Sequence, residues 1–191
     1  MNMAMRRLGV ITVLAGLISG AGCAGHPWQV VREAPPPSPL KGAGPVSVSF
    51  DYSKIIIGDK NETDWVNAKT AEDPSYPKKW SDLKGSFETH FVNGFGQSWP
   101  KGAQPGPAGG PGVHVVVTPT SMSIGHYMVF AATATAVHTN VGYEVDGKIA
   151  EEIETAGAVG ASVIEPSVFE HMPHVAATIG RNAGKFLASR N

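Results

Sequence analysis

The chain has 191 residues, which is enough for one domain with extensions. Its 15 basic and 16 acidic residues nearly balance, and no predicted helix or strand carries a run of Lys or Arg, so we expect no nucleic-acid partner. The single cysteine, Cys23, excludes a scaffold held together by internal disulfides.

The first 22 residues have the order of charge and hydropathy that is typical of an export signal. Arg6 and Arg7 precede an apolar stretch over residues 8–18, and small residues fill positions 19–22. The apolar stretch is too short to cross a membrane, which takes about 20 residues. We therefore predict that residues 1–22 are a signal peptide, removed during export.

The segment LISGAGC at residues 17–23 resembles the lipobox of bacterial lipoproteins. Ala21 and Gly22 match the small residues that this family has before its cysteine, whereas the family usually has Leu at position 20 and this chain has Gly. The resemblance implies that Cys23 is the lipidation site and that the membrane is a partner. An ordinary secretory signal and twin-arginine export are the alternatives.

The residue after the cysteine bears on the choice of membrane. In enterobacterial-type sorting an Asp at this position favours the inner membrane, and this chain has Ala24 instead. The resemblance therefore implies a lipid-anchored protein of the outer membrane that faces the periplasm.

Residues 23–45 are predicted to be the lipidated cysteine followed by a Pro-rich tether. Four prolines between positions 35 and 39 favour an extended polyproline II conformation. A tether of about 20 residues in this conformation reaches about 60 Å, which suits a spacer between membrane and domain. A ligand for a proline-binding module is the alternative.

The single folded domain is predicted over residues 46–191. Apolar residues alternate with polar ones over 46–52, which indicates a strand, and residues 55–57 extend it. The polar, turn-rich stretch 58–77, which includes Trp65, is predicted to be a loop.

A helix is predicted next, because four apolar side chains recur every four residues and form one stripe that we expect in the core. They are Leu83, Phe87, Phe91 and Phe95. Ser81 or Asp82 is the expected N-cap. Residues 96–112, rich in Gly and Pro, follow as a predicted mobile loop.

Three further strands and a helix complete the predicted domain. Alternating valines from Val113 indicate the second strand, and residues 127–145 the third, with a bend near 131–132. The dipeptide Asp146-Gly147 predicts a tight hairpin turn. Residues 149–158 return as the fourth strand, in which the glutamates at 151 and 152 are expected to face water.

The last predicted element is an amphipathic helix near 173–189, with Pro173 in its first turn. Gly180 and Gly184 share a face of this helix, which predicts a close approach to the sheet. The element order is thus β-α-β-β-β-α. It indicates an α+β fold with a small, mainly antiparallel sheet of about four strands and two amphipathic helices on one face.

This element order over residues 46–189 is similar to that of several families of small envelope lipoproteins. Some of these families resemble the N-terminal domain of TolB and the curli secretion lipoprotein, and many have no known function. The resemblance implies a small α+β envelope domain, and it rests on the order of the elements rather than on a diagnostic motif.

Residues with catalytic or metal-binding chemistry are few. The zinc-protease, nucleophile-elbow and C-x-x-C motifs do not occur in the sequence, and we expect neither a catalytic residue nor a cofactor. His171 and His174, near Glu165 and Glu170, are weak metal-ligand candidates, because histidines at i and i+3 of a helix converge. The alternative is two solvent-facing histidines at a loop–helix junction.

Three other histidines, at positions 114, 126 and 138, lie on or beside predicted strands and are interpreted as sheet-surface residues. The favoured function is a non-catalytic binding domain, an accessory to an envelope transport or assembly complex with an envelope protein as partner. A periplasmic metal or small-ligand binder that uses His171 and His174 is the alternative, and an enzyme is a third hypothesis.

Overall fold

A mixed β-sheet carrying helices on one face forms the domain, in a computed structural model that describes residues 25–107, 112–125, 127–128, 131–160 and 167–191. The predicted leader and Cys23 lie outside these ranges. The helices are α1 Glu62–Glu72, α2 Tyr76–Ser98 and α3 Val168–Ser189. The strands are β1 Trp28–Arg32, β2 Val46–Phe50, β3 Ile56–Ile57, β4 Lys60–Asn61, β5 Ala103–Pro105, β6 Val113–Ser123, β7 Tyr127–Met128, β8 Ala131–Ala132, β9 Ala134–Val145 and β10 Lys148–Gly160.

Eight of the described strands make one sheet in the order β1-β10-β9-β6-β2-β5, with β3 paired to both β6 and β4. Strands β1, β10, β9 and β6 are antiparallel, whereas β2 and β3 run parallel to β6 and β5 runs parallel to β2. The predicted four-stranded antiparallel sheet with two helices is therefore wrong. Parallel neighbours need a long crossover, and here α1 and α2 supply it between β2 and β6.

The stretch predicted as a loop over 58–77 contains α1. The Asn61 side-chain oxygen caps this helix by accepting a hydrogen bond of 2.9 Å from the Asp64 N–H. None of its side chains is fully buried, so no apolar stripe marks α1 in the sequence. Helix α2 likewise begins before the predicted caps Ser81 and Asp82, with Ser75 as N-cap and Pro77 in its first turn.

The predicted aromatic stripe of α2 is confirmed. Its members are at most 3% exposed. They pack on the face of the sheet that carries Val115, Val117 and Val141, and Phe50 of β2 meets the rings of Phe87 and Phe91 edge-on. Burial of a large aromatic side chain stabilises a fold by roughly 1.5–3 kcal/mol, so this stripe anchors α2 to the sheet.

Close packing of α3 depends on glycines, but against a different element from the one predicted. A Cβ on Gly180 would collide with the Phe91 carbonyl oxygen, and one on Gly184 would lie 2.6 Å from the Phe95 carbonyl oxygen. These glycines therefore bring α3 against α2. The close approach to the sheet occurs instead at Gly157 of β10, where a Cβ would lie 2.6 Å from the Val175 carbonyl oxygen.

The predicted hairpin between β9 and β10 is confirmed, with positive φ angles of 53° at Asp146 and 73° at Gly147. The long third strand is not continuous: β7 and β8 pair with each other, and β9 starts at Ala134. Glu151 does not face water as predicted, because it is fully buried. A register shift between Ile149 and Glu151 places its side chain on the helix-covered face.

Helix α3 begins five residues before the predicted Pro173. Ser167 and Glu170 form a capping box at its start, in which the Ser167 N–H donates to Glu170 Oε2 at 3.1 Å. Pro173 consequently lies inside the helix rather than in its first turn. Over the described chain, no helix combines the length and the apolar character needed to cross a membrane.

Much of the predicted Pro-rich tether lies on the domain. Strand β1 pairs antiparallel with β10, and Leu40 is fully buried. Asn191 holds this segment in place, because its Oδ1 accepts from the Gly42 N–H at 2.7 Å and its Nδ2 donates to the Leu40 carbonyl at 3.2 Å. Residues 28–45 are thus part of the fold rather than a free spacer. Similarly, β5 occupies part of the predicted 96–112 loop.

Candidate interaction surface

The two candidate metal ligands occupy different environments. His171 is fully buried, with its Nδ1 2.8 Å from the Thr135 hydroxyl oxygen, whereas His174 is exposed. Glu165 lies outside the described residues. Among the residues that are described, no group of three or more His, Cys, Asp or Glu is placed to hold a metal ion. His126, like Glu165, lies outside the described residues.

His114 is not the sheet-surface residue that the sequence predicts, since it is only 2% exposed. Its Nδ1 lies 2.6 Å from Ser47 Oγ and its Nε2 lies 2.8 Å from Ser49 Oγ, both on the neighbouring parallel strand β2. Burial lowers the pKa of His114, and the charge of Glu144 on β9 opposes that shift. His138, by contrast, is exposed as predicted.

This arrangement brings a hydroxyl and an imidazole together, which is the first requirement of a nucleophile–base pair. In catalytic triads, however, a carboxylate orients the histidine through the second ring nitrogen. Here a serine hydroxyl lies at each ring nitrogen of His114, although Glu144 is opposite His114 on the adjacent strand β9. The geometry therefore supports a buried polar link between β2 and β6. The sequence signal for this polar link is the alternation of Ser with Val in β2.

A surface groove forms where α1, the start of α2, the end of β6 and the start of α3 meet. It has a volume of about 530 Å³. We call it the α1–α3 groove. Its lining residues are Trp65, Lys69, Glu72, Asp73, Tyr76, Ile124, Val168 and Phe169.

Aromatic side chains define the α1–α3 groove, and their positions are held by polar contacts. Trp65 Nε1–H donates to the Tyr76 hydroxyl at 3.1 Å, and Lys69 Nζ lies 5.4 Å from the centre of the Trp65 ring. Lys69 also pairs with Glu72 at 2.9 Å. Phe169 is 41% exposed, so part of its ring is open to solvent in the groove.

Helix α1, which supplies one wall of the groove, is fastened to α2 by a polar cluster. Glu62 Oε1 accepts from Trp80 Nε1 at 2.6 Å and from Lys84 Nζ at 2.7 Å. Lys84 Nζ also lies 5.1 Å from the ring centre of Tyr52, and burial raises the pKa of the Tyr52 hydroxyl far above its ordinary value. These contacts fix the position of α1 although it buries no side chain fully.

The composition of the α1–α3 groove suits the binding of a side chain from another protein. Aromatic residues with an apolar body and a polar tip dominate the energetics of protein interfaces, and charged groups at the rim favour specificity. Trp65 and Tyr76 are of this type, and Lys69, Glu72 and Asp73 supply the rim. Sequence analysis missed this site because Trp65 falls in the predicted loop and Phe169 precedes the predicted last helix.

Comparison with known proteins yields distant structural neighbours only. No protein-family model matches the chain, and no curated protein sequence matches it. The PelC dodecamer from Paraburkholderia phytofirmans is 7% identical, with 73% of this chain and 88% of that chain covered and a TM-score of 0.39. A single-site variant of PelC is 10% identical, with 81% and 95% covered and a TM-score of 0.36. Such low TM-scores assign neither fold nor function.

Proposed function

We propose that this protein is a lipid-anchored lipoprotein of the cell envelope, in the outer membrane and facing the periplasm, whose domain binds other envelope proteins. The domain acts as an accessory to an envelope transport or assembly complex. The lipid is carried by Cys23, and the α1–α3 groove is the surface that binds the partner protein.

The observation that carries this proposal is the lipobox-like segment LISGAGC at residues 17–23, and the way in which the chain after Cys23 joins the domain decides what such an anchor would hold. Strand β1 begins at Trp28 and is paired along β10, and the following segment is bonded to Asn191. A lipid on Cys23 therefore attaches the folded sheet itself to a membrane, rather than a flexible extension of it. Two or three acyl chains on one cysteine suffice for stable anchoring.

The α1–α3 groove supports the binding role. Its aromatic residues belong to separate elements, so a partner that binds there contacts a surface that exists only in the folded domain. Phe169 lies at the exposed start of α3, where a partner's apolar side chain would cover it. Covering this apolar surface would favour binding through the hydrophobic effect, which needs no catalytic group.

The anchoring is tested by expressing the full chain with a C-terminal tag and separating inner from outer membranes on a density gradient. The intact mass of the purified protein reports cleavage before Cys23 and acylation. Cys23→Ala is the matched variant. We expect the acylated wild-type protein in the outer-membrane fraction and the variant, without acyl chains, outside that fraction. Equal outer-membrane association of the two forms would refute the lipid anchor.

The binding role is tested by photocrosslinking in intact cells, with a benzophenone amino acid at position 169 in the groove. The same group at Gln104, which is exposed on β5 away from the groove, is the control. We expect one envelope protein captured from position 169 and not from 104. Identical capture from both positions, or turnover of a substrate that a single side-chain change abolishes, would contradict a non-catalytic binding domain.

A further inference from the structure

The chain leaves little distance between the predicted lipid and the folded domain. The carbonyl oxygen of Pro27 accepts hydrogen bonds from Thr155 Oγ1 at 2.9 Å and from Asn182 Nδ2 at 3.4 Å, so Pro27 is held by both the sheet and α3. Only residues 24–26 separate it from Cys23. Even fully extended, the four Cα–Cα steps from Cys23 to Pro27 span at most about 14 Å.

The strand nearest to this attachment point has an unusual surface. Strand β1 ends the sheet, so its outer backbone edge has no neighbouring strand among the described residues. Edge strands that face water are usually protected by charged residues or proline. Strand β1 has one such charge, Arg32, but beside it Val30 and Val31 are 40% and 53% exposed. Trp28, at the start of the strand, belongs to the residue type favoured at membrane–water interfaces.

We propose that β1 rests directly on the bilayer surface, with Val30 and Val31 at the level of the lipid headgroups. This inference rests on the proposed function, because the lipid on Cys23 is what brings the strand to the membrane. The occupant of the exposed edge is thus the lipid surface and not a second copy of the chain. The short attachment leaves the domain no room to stand about 60 Å from the membrane, as an extended tether would allow.

The sheet itself supplies an internal reference position. Strand β5 is at the other end of the sheet, five strand spacings from β1, which corresponds to about 24 Å. Gln104 of β5 is exposed like Val31. With β1 on the membrane, residue 104 lies in the aqueous phase beyond the headgroups. Val31 and Gln104 therefore form a matched pair of labelling sites in one molecule.

The test uses the acylated full-length protein in phosphatidylcholine vesicles that contain a lipid with a nitroxide on its headgroup. Val31→Cys and Gln104→Cys variants each carry a bimane fluorophore, because a lipidated Cys23 has no free thiol. We expect quenching at position 31 to be several-fold stronger than at position 104. Aqueous iodide should show the opposite order.

Two fluorescence results would overturn the proposal. Weak nitroxide quenching at both positions would show that the domain stands away from the bilayer. Protection of position 31 from both quenchers would show that another protein chain covers β1. Intact mass separates these failures from failure of the anchor itself: protein without acyl chains refutes the lipidation of Cys23, and the membrane contact of β1 with it.

Discussion

Glu151 of β10 is fully buried and forms an ion pair with Arg190, the residue directly after α3, with 2.8 Å between Oε2 and Nε. The Ser38 hydroxyl donates to the other carboxylate oxygen. Arg190 also pairs with Glu33, with 2.9 Å between Nη2 and Oε1. One arginine thus joins the end of the last helix, the sheet and the N-terminal segment.

Replacement of this arginine should destabilise the domain. Arg190→Met leaves the Glu151 carboxylate buried without a cation, and we expect the free energy of unfolding in urea to fall by about 2–4 kcal/mol. The exposed Lys185→Met in α3 is the control and should change little. Adding Glu151→Leu to Arg190→Met should recover much of the loss. Equal stability of Arg190→Met and Lys185→Met would contradict a stabilising role of the Glu151–Arg190 ion pair.

The contact between α2 and α3 predicts opposite effects for two glycine-to-alanine substitutions. Gly180→Ala places a methyl group into the Phe91 carbonyl oxygen, so the helices must separate, at a cost of about 1–3 kcal/mol. Gly85→Ala in α2 meets nothing within 4 Å and should stabilise the domain by about 0.5–1 kcal/mol. Thermal unfolding measures both. A neutral Gly180→Ala would show that the two helices do not pack this closely.

Two phenylalanines should differ in their contributions to stability because they differ in burial. Phe91→Ala removes a fully buried ring and should cost about 3–5 kcal/mol. Phe169→Ala, at a side chain that is 41% exposed, should cost less than about 1 kcal/mol. Urea unfolding gives both values. If Phe169→Ala keeps its fold and still co-purifies with the partner that position 169 captures, the α1–α3 groove is not the binding surface.

Stability should decrease on acidification through His114. Burial lowers its pKa below the ordinary value of 6.5, so near and below that pH the unfolded chain binds a proton that the folded chain does not. The free energy of unfolding therefore falls as the pH drops through this range. His114→Asn should show a smaller decrease in urea titrations at about pH 8 and about pH 5. The exposed His138→Asn serves as control, and an unchanged pH dependence in His114→Asn would contradict the assignment.

Features encoded by local patterns were predictable from the sequence. The stripe of Phe87, Phe91 and Phe95 repeats every four residues, and burial of that stripe requires a helix. The dipeptide Asp146-Gly147 accepts the positive φ angles that a tight hairpin requires. These elements were predicted because neighbours in sequence determine both the periodicity and the turn.

Features that depend on distant partners were not predictable. The short parallel strands β3 and β5 exist only because β6 and β2 pair with them, and α1 is held by Trp80 and Lys84 of α2. The α1–α3 groove combines residues from three helices and from the segment after β6, so no local pattern indicates it.

The sequence by itself determined the periodic helix and the hairpin, and it predicts the lipidation site at Cys23. Only the tertiary structure decided that Glu151 is buried, that α3 packs closely on α2, and that residues 28–32 belong to the sheet. The physical reason is that side-chain periodicity is a local property, whereas burial, ion pairing and strand pairing depend on which distant segments meet.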